Sequence, residues 1–171
     1  MSQYSAHDES VRSGRPSLAA ALAAAWLTTG LDPEQRNELA AIGRLETLPA
    51  NTALTSEGEL TEDCGIVLQG RVALRTRVPE RGMVTILTVE PGDIVGWSAV
   101  VPPYRATSTA VTLTPTEMAM FDGRRLRDQL DNSPGLAASF YPLVLRAVAR
   151  RLEGTRLQLL DLFTQRWVEP W

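Results

Sequence analysis

The feature that most restricts how this chain can fold is the stretch from Thr47 to Phe121. Short runs rich in Val, Thr, Ile and Leu succeed one another there, separated by Gly, Pro and acidic residues, and no helical period intervenes. Candidate strands are Ala53 to Thr55, Cys64 to Leu68, Arg71 to Arg77, Met83 to Val89, Asp93 to Val95, Thr107 to Leu113 and Thr116 to Phe121. Alternation within Val72 to Arg77 and Met83 to Thr88 predicts half-buried antiparallel strands, with Pro79-Glu80-Arg81-Gly82 as the turn between them. Parallel strands need a crossover between neighbours and these have none, so the expected class is mainly β: a sandwich, barrel or jelly roll.

Helical patterns flank this region. Leu18 to Leu27 is apolar and Ala-rich, with Ser17 as the expected N-cap; at about ten residues it is far short of the roughly 20 that span a bilayer. Asp32-Pro33-Glu34 predicts a second helix start, with Leu39, Ala40, Ile42 and Leu45 as its apolar face. Beyond the strands, a short helix is expected over Asp122 to Leu130, a break over residues 131–135, and a long helix from Leu136 to Phe163, roughly 40 Å at 1.5 Å per residue. Along it Tyr141, Leu145, Val148, Leu152, Thr155, Leu159 and Leu162 fall alternately four and three apart. That spacing fits a coiled-coil seam, and it equally fits packing on the chain's own barrel. Leu143, Ala147 and Leu160 offer a second apolar face. Residues 1–16 and 164–171 are expected to be tails around one domain over 17–163.

Composition narrows the function. A net charge of −3 leaves no global positive field for nucleic acid or an anionic membrane, so any anion must be held locally. All 17 basic residues are Arg, which suits forked contacts to phosphate or carboxylate and equally reflects biased codon usage. Cys64 is the only cysteine, so no disulfide framework forms within one chain, and a buried thiol in a reducing cytoplasm is expected. The only histidine, His7, lies in the expected N-terminal tail. A His-rich metal centre or a Ser-His-Asp set is therefore not expected, and the chain is not expected to be an enzyme.

The glycine-bearing turns carry a resemblance. Pro49 to Leu54, Glu57-Gly58, Val67-Leu68-Gln69-Gly70-Arg71-Val72 and Pro91-Gly92-Asp93-Ile94-Val95-Gly96, together with Val148 to Thr155, resemble the catabolite activator and cyclic-nucleotide-binding domain family. The resemblance implies an antiparallel β jelly roll with N-terminal helices and a long C-terminal dimerisation helix, residues 136–163, and so favours the seam Tyr141, Leu145, Val148, Leu152, Leu159 and Leu162 as a homodimer interface. It implies a ligand site over Gly96, Trp97, Ser98, Ala99, Arg105, Ala106 and Thr107, with Thr155 and Arg156 on the helix, and cyclic AMP or cyclic GMP as the ligand.

Two positions depart from that pattern. Trp97 stands where the family has a ribose-binding glutamate, and its indole N–H is a donor that cannot accept from a hydroxyl. It can stack on a purine or plug the pocket. Counting forward from Gly96 makes Arg105 the phosphate ligand, whereas counting back from the strand Glu117 to Phe121 puts Ala106 in that slot.

Residues 164–171 are too short for a helix-turn-helix, so direct DNA binding is not expected. Two functions follow. One is a cytosolic sensor that binds a cyclic nucleotide or related anion and signals to a separate effector protein. The other is a ligand-free dimeric scaffold or adaptor with Trp97 in its pocket and Trp167, Val168 and Trp171 as a partner-binding tail.

Overall fold

The computed structural model describes residues 16–165, and within α4 the side chains at 158, 159 and 161–165 fall outside the described set. Of the tails expected over residues 1–16 and 164–171, residues 1–15 and 166–171, with Trp167, Val168 and Trp171, lie outside the described residues, and residues 164 and 165 continue the last helix.

The chain opens with α1 (Leu18–Ala24), capped by the Ser17 side chain accepting from the Ala20 N–H, then a 3₁₀ helix (Trp26–Gly30) and α2 (Pro33–Ile42). Asp32 and Gln35 form a reciprocal capping box at the start of α2. Eight strands follow: β1 (Gly43–Leu48), β2 (Ala53–Thr55), β3 (Asp63–Gln69), β4 (Val72–Val78), β5 (Gly82–Val89), β6 (Ile94–Val95), β7 (Thr109–Thr112) and β8 (Thr116–Asp122). They form two antiparallel four-stranded sheets, β1-β8-β3-β6 and β2-β7-β4-β5, which face each other as a jelly roll. Then come α3 (Gly123–Asn132) and α4 (Pro134–Gln165).

Two expectations are corrected. The second helix stops at Ile42, and Leu45, expected on its apolar face, belongs to β1, which pairs with β8 from Gly43↔Phe121 to Leu48↔Thr116. Gly43 lets the chain pass close by its neighbours at this junction, since a Cβ there would stand 2.6 Å from the Phe121 ring and 2.8 Å from Leu18. The expected five-residue break before the long helix shrinks to Ser133, because Pro134 sits at the first position of α4, where a missing N–H costs nothing.

Alternation along the strands sends side chains into two cores. Val67, Val72, Leu74, Val89, Val95, Ala110, Met118 and Met120 pack between the sheets. Cys64, Ile66, Ala119 and Phe121 point the other way and pack against Leu22, Leu27, Leu39, Leu126, Phe140, Leu143, Val144 and Ala147 of the helices. Leu143 and Ala147 thus hold α4 to the barrel as the second apolar face, but Leu160, assigned to that face from sequence, is 53% exposed. By that point α4 has passed beyond the cluster of buried helical residues, which ends at Ala147.

Cys64 gives a measurable signature of this core. Burial pushes its thiol from the ordinary 9.0 up to about 12, with Arg151 opposing and Asp63 adding to the rise. Between those values the unfolded chain releases the proton and the folded chain keeps it, so stability falls as pH rises through the window. From pH 8 to pH 10 this group alone should remove about 1 kcal/mol. Urea denaturation at both pH values should show that loss in the native chain and its disappearance in Cys64→Ala; identical pH dependence in the two proteins would contradict it.

Candidate functional site

The segment after β6 begins at Gly96, whose φ of 72° lies in the left-handed region and whose Cα faces the backbone carbonyl of Asp63. Only a residue without a Cβ fits this corner without strain. The turn feeds a single 3₁₀ turn, Trp97–Ala99, that buries Ser98 and Ala99 and leaves Trp97 half-buried against the helical core. Arg127 of α3 braces it, donating from Nη1 to the Ala99 carbonyl and placing its guanidinium 4.6 Å from the centre of the Tyr104 ring.

A small recess lies between this segment and the second sheet. Its walls are Thr55, Leu74, Val95, Gly96, Trp97, Ser98, Ala106, Thr107, Ser108, Ala110 and, reaching in from α4, Arg151. The volume is about 20 Å³, room for about one water and far below the roughly 300 Å³ at which small-molecule pockets begin. Of the expected ligand residues, the recess gathers Gly96, Trp97, Ser98, Ala106 and Thr107. Ala99 is buried behind it.

Arg105 lies elsewhere. It is exposed, pairs with Leu60 across an isolated bridge, and donates from Nη1 to the Gly58 carbonyl at 2.9 Å. It lines an outer groove with Glu59, Glu62 and Asp63, whose carboxylates oppose an incoming anion. Adjacent residues of extended chain face opposite ways, and Ala106, buried, is the one turned inward. Thr155 and Arg156 do not line the recess either: Thr155 is half-buried, its Oγ1 donating to the Arg151 carbonyl at 2.8 Å, and Arg156 is exposed.

Arg151 is the site residue that the sequence reading missed. Its side chain is 13% exposed, donates from Nη2 to the Ile94 carbonyl, and lies 3.6 Å from Asp93 Oδ1. Burial pulls its pKa below the ordinary guanidinium value, and Asp93 works against that fall. The neighbouring Arg150 stacks 4.3 Å from the centre of the Trp26 ring. Two consecutive arginines therefore fasten α4 to the barrel, one to the 3₁₀ helix before α2 and one to the start of β6.

Of the expected seam, Tyr141, Leu145 and Leu152 are 40%, 68% and 71% exposed, Val148 is half-buried against the barrel, and the side chains of Leu159 and Leu162 lie outside the described residues. No group of three or more His, Cys, Asp or Glu side chains that could hold a metal ion occurs among the described residues, and no described helix is long and apolar enough to cross a membrane.

A jelly roll with a recess after β6 and a long helix lined up against it through Arg151 is the architecture that the sequence resemblance implies. Residues 45–133, more than half of the chain, match the family model for the cyclic nucleotide-binding domain, and the chain belongs to that family. It is similar to the CRP-like cAMP-activated global transcriptional regulator of Mycobacterium tuberculosis, 29% identical over 142 residues that make up 82% of this chain and 61% of the relative. The chain thus spans about three fifths of the length of the curated relatives it matches.

Among solved structures it resembles the N-terminal domain of a transcriptional regulator from Streptomyces coelicolor A3(2), with 30% identity, a TM-score of 0.59, and coverage of 76% of this chain and 88% of that one. A cyclic nucleotide-binding domain from Methylobacillus flagellatus KT shares the fold at a TM-score of 0.70, with 22% identity over 77% of this chain and 74% of that one.

Proposed function

We propose that this chain is a cytoplasmic, non-catalytic sensor domain. It takes a cyclic nucleotide, or a related anionic ligand, between the Gly96–Thr107 segment and α4, and passes occupancy to a separate effector protein as a movement of α4. The observation that carries this reading is that Arg151 of α4 lines the same recess as Gly96, Trp97 and Ser98. Because the recess holds about one water as it stands, a ligand enters only by drawing Arg151 and its helix outward. Differential affinity for the open and closed arrangements then becomes a bias on helix position. The exposed seam of α4 is assigned to a second copy of the chain, so that the movement is shared by a homodimer.

The 20 Å³ volume and the packing of Trp97 into the helical core favour a second reading, a ligand-free dimeric scaffold or adaptor. A thermal-shift titration with cyclic AMP, cyclic GMP, the cyclic pyrimidine nucleotides and linear nucleotide controls separates the two. At a hundredfold excess over Kd, a specific ligand should add about 2.7 kcal/mol, or roughly 5–10 °C for a domain of this size. No shift with any nucleotide at millimolar concentration would sink the sensor and leave the scaffold ahead.

A further inference from the structure

Among the described residues lining the recess, Arg151 is the only one with a charged side chain. Its hydrogen bonding is incomplete: Nη2 serves the Ile94 carbonyl and lies 3.6 Å from Asp93, whereas Nε is buried and has no partner. Nε and Nη2 form one edge of the guanidinium fork, the edge that meets two oxygens of a phosphate or carboxylate side by side. Buried donors of a cation are rarely left unpaired in a folded protein, and this one belongs to a residue that lines the recess together with the hydroxyl-bearing Ser98 and Thr107. The positions expected to supply the anion contact offer less, since Ala106 ends in a methyl group and Arg105 sits outside among three acids.

We infer that the anion-recognising group of this recess is Arg151, supplied by α4, with Asp93 as its resident competitor, and that the ligand presents a phosphate edge to the Nε–Nη2 side of the guanidinium. The inference rests on the sensor reading and deepens it. Recognition and transmission then reside in one side chain, because the arginine that leaves Asp93 for the ligand belongs to the helix that moves. The acid opposing the ligand also sits in the turn that starts β6, so the barrel itself sets the threshold for binding.

Isothermal titration of the full chain with cyclic AMP, cyclic GMP and inorganic phosphate tests this. Arg151→Gln should weaken nucleotide binding at least about tenfold, as loss of a hydrogen bond to a charged group does. Arg151→Lys, which keeps the charge and loses the fork, should fall between Gln and the native residue. Asp93→Asn keeps the acceptor for the Ile94 N–H and removes the competing charge, so it should tighten binding about threefold or more. Arg81→Ala, on the exposed β4–β5 turn, controls for net charge and should keep native affinity. Inorganic phosphate should follow the same order at lower affinity if the phosphate is what Arg151 reads.

Equal nucleotide affinity in the native chain and Arg151→Gln would overturn the inference and leave the sensor reading standing. No binding of any of these probes by the native chain would overturn both. If Arg151→Gln does not fold, Arg151→Lys and Asp93→Asn decide, and failure of these two to move affinity in opposite directions overturns the inference.

Discussion

Gly96→Ala is expected to destabilise the chain by about 3 kcal/mol, with a fall in Tm of roughly 6–12 °C for a domain of this size. Part of the cost, about 1–2 kcal/mol, is the left-handed backbone, which a Cβ disfavours. The rest, about 1–3 kcal/mol, is overpacking, because the new methyl would overlap the Asp63 carbonyl and the backbone on one side must shift. Gly58→Ala separates the two contributions. Gly58 has a φ of 83° and nothing within 4 Å of the position its Cβ would take, so it should show the conformational part alone. Equal losses in the two variants, measured by urea denaturation, would contradict the close approach of β3 to the Gly96 corner. Because Gly96 opens the recess, the displaced turn should also weaken whatever binds there.

Replacing Leu145 and Leu152 together by Glu is expected to convert a dimer to a monomer in sedimentation. Both side chains stand mostly in solvent on a helix that already buries its other face through Leu143 and Ala147. Two copies joined along this seam would bury four leucines, a gross gain of about 6–12 kcal/mol at about 1.5–3 kcal/mol each. A micromolar complex has only about 8 kcal/mol in total. Four carboxylates at those positions would remove most of that gain and add repulsion. A native chain that sediments as a monomer at tens of micromolar, or a double variant that remains dimeric, would contradict the seam.

What could be read from the sequence was mostly local. The caps at Ser17 and Asp32 need only neighbours three residues away, and the turns at Gly58, Gly70 and Gly92 need only a backbone that visits positive φ; all were placed by sequence. β1 was not, because Gly43-Arg44-Leu45-Glu46-Thr47-Leu48 continues the spacing of the helix before it. Its identity as a strand is fixed by β8, which lies more than 65 residues away in sequence.

The site divides in the same way. Gly96, Trp97 and Ser98 follow from their place after β6. The choice between Arg105 and Ala106 is a one-residue question of register, and in extended chain one residue reverses the side chain's direction. Arg150 and Arg151 look equivalent in sequence. Only the phase of α4 sends one to Trp26 and the other into the recess.

The measurement that bears most directly on the sensor is an amide NMR titration of the full chain with the cyclic nucleotide that gives the largest thermal shift. If occupancy of the recess moves the helix, resonances of Gly96 to Ala99 and of Ala147 to Thr155 should shift along one saturation curve. Changes confined to the first group would mean that a ligand binds without acting on α4. No change in either group would contradict ligand binding at this recess altogether.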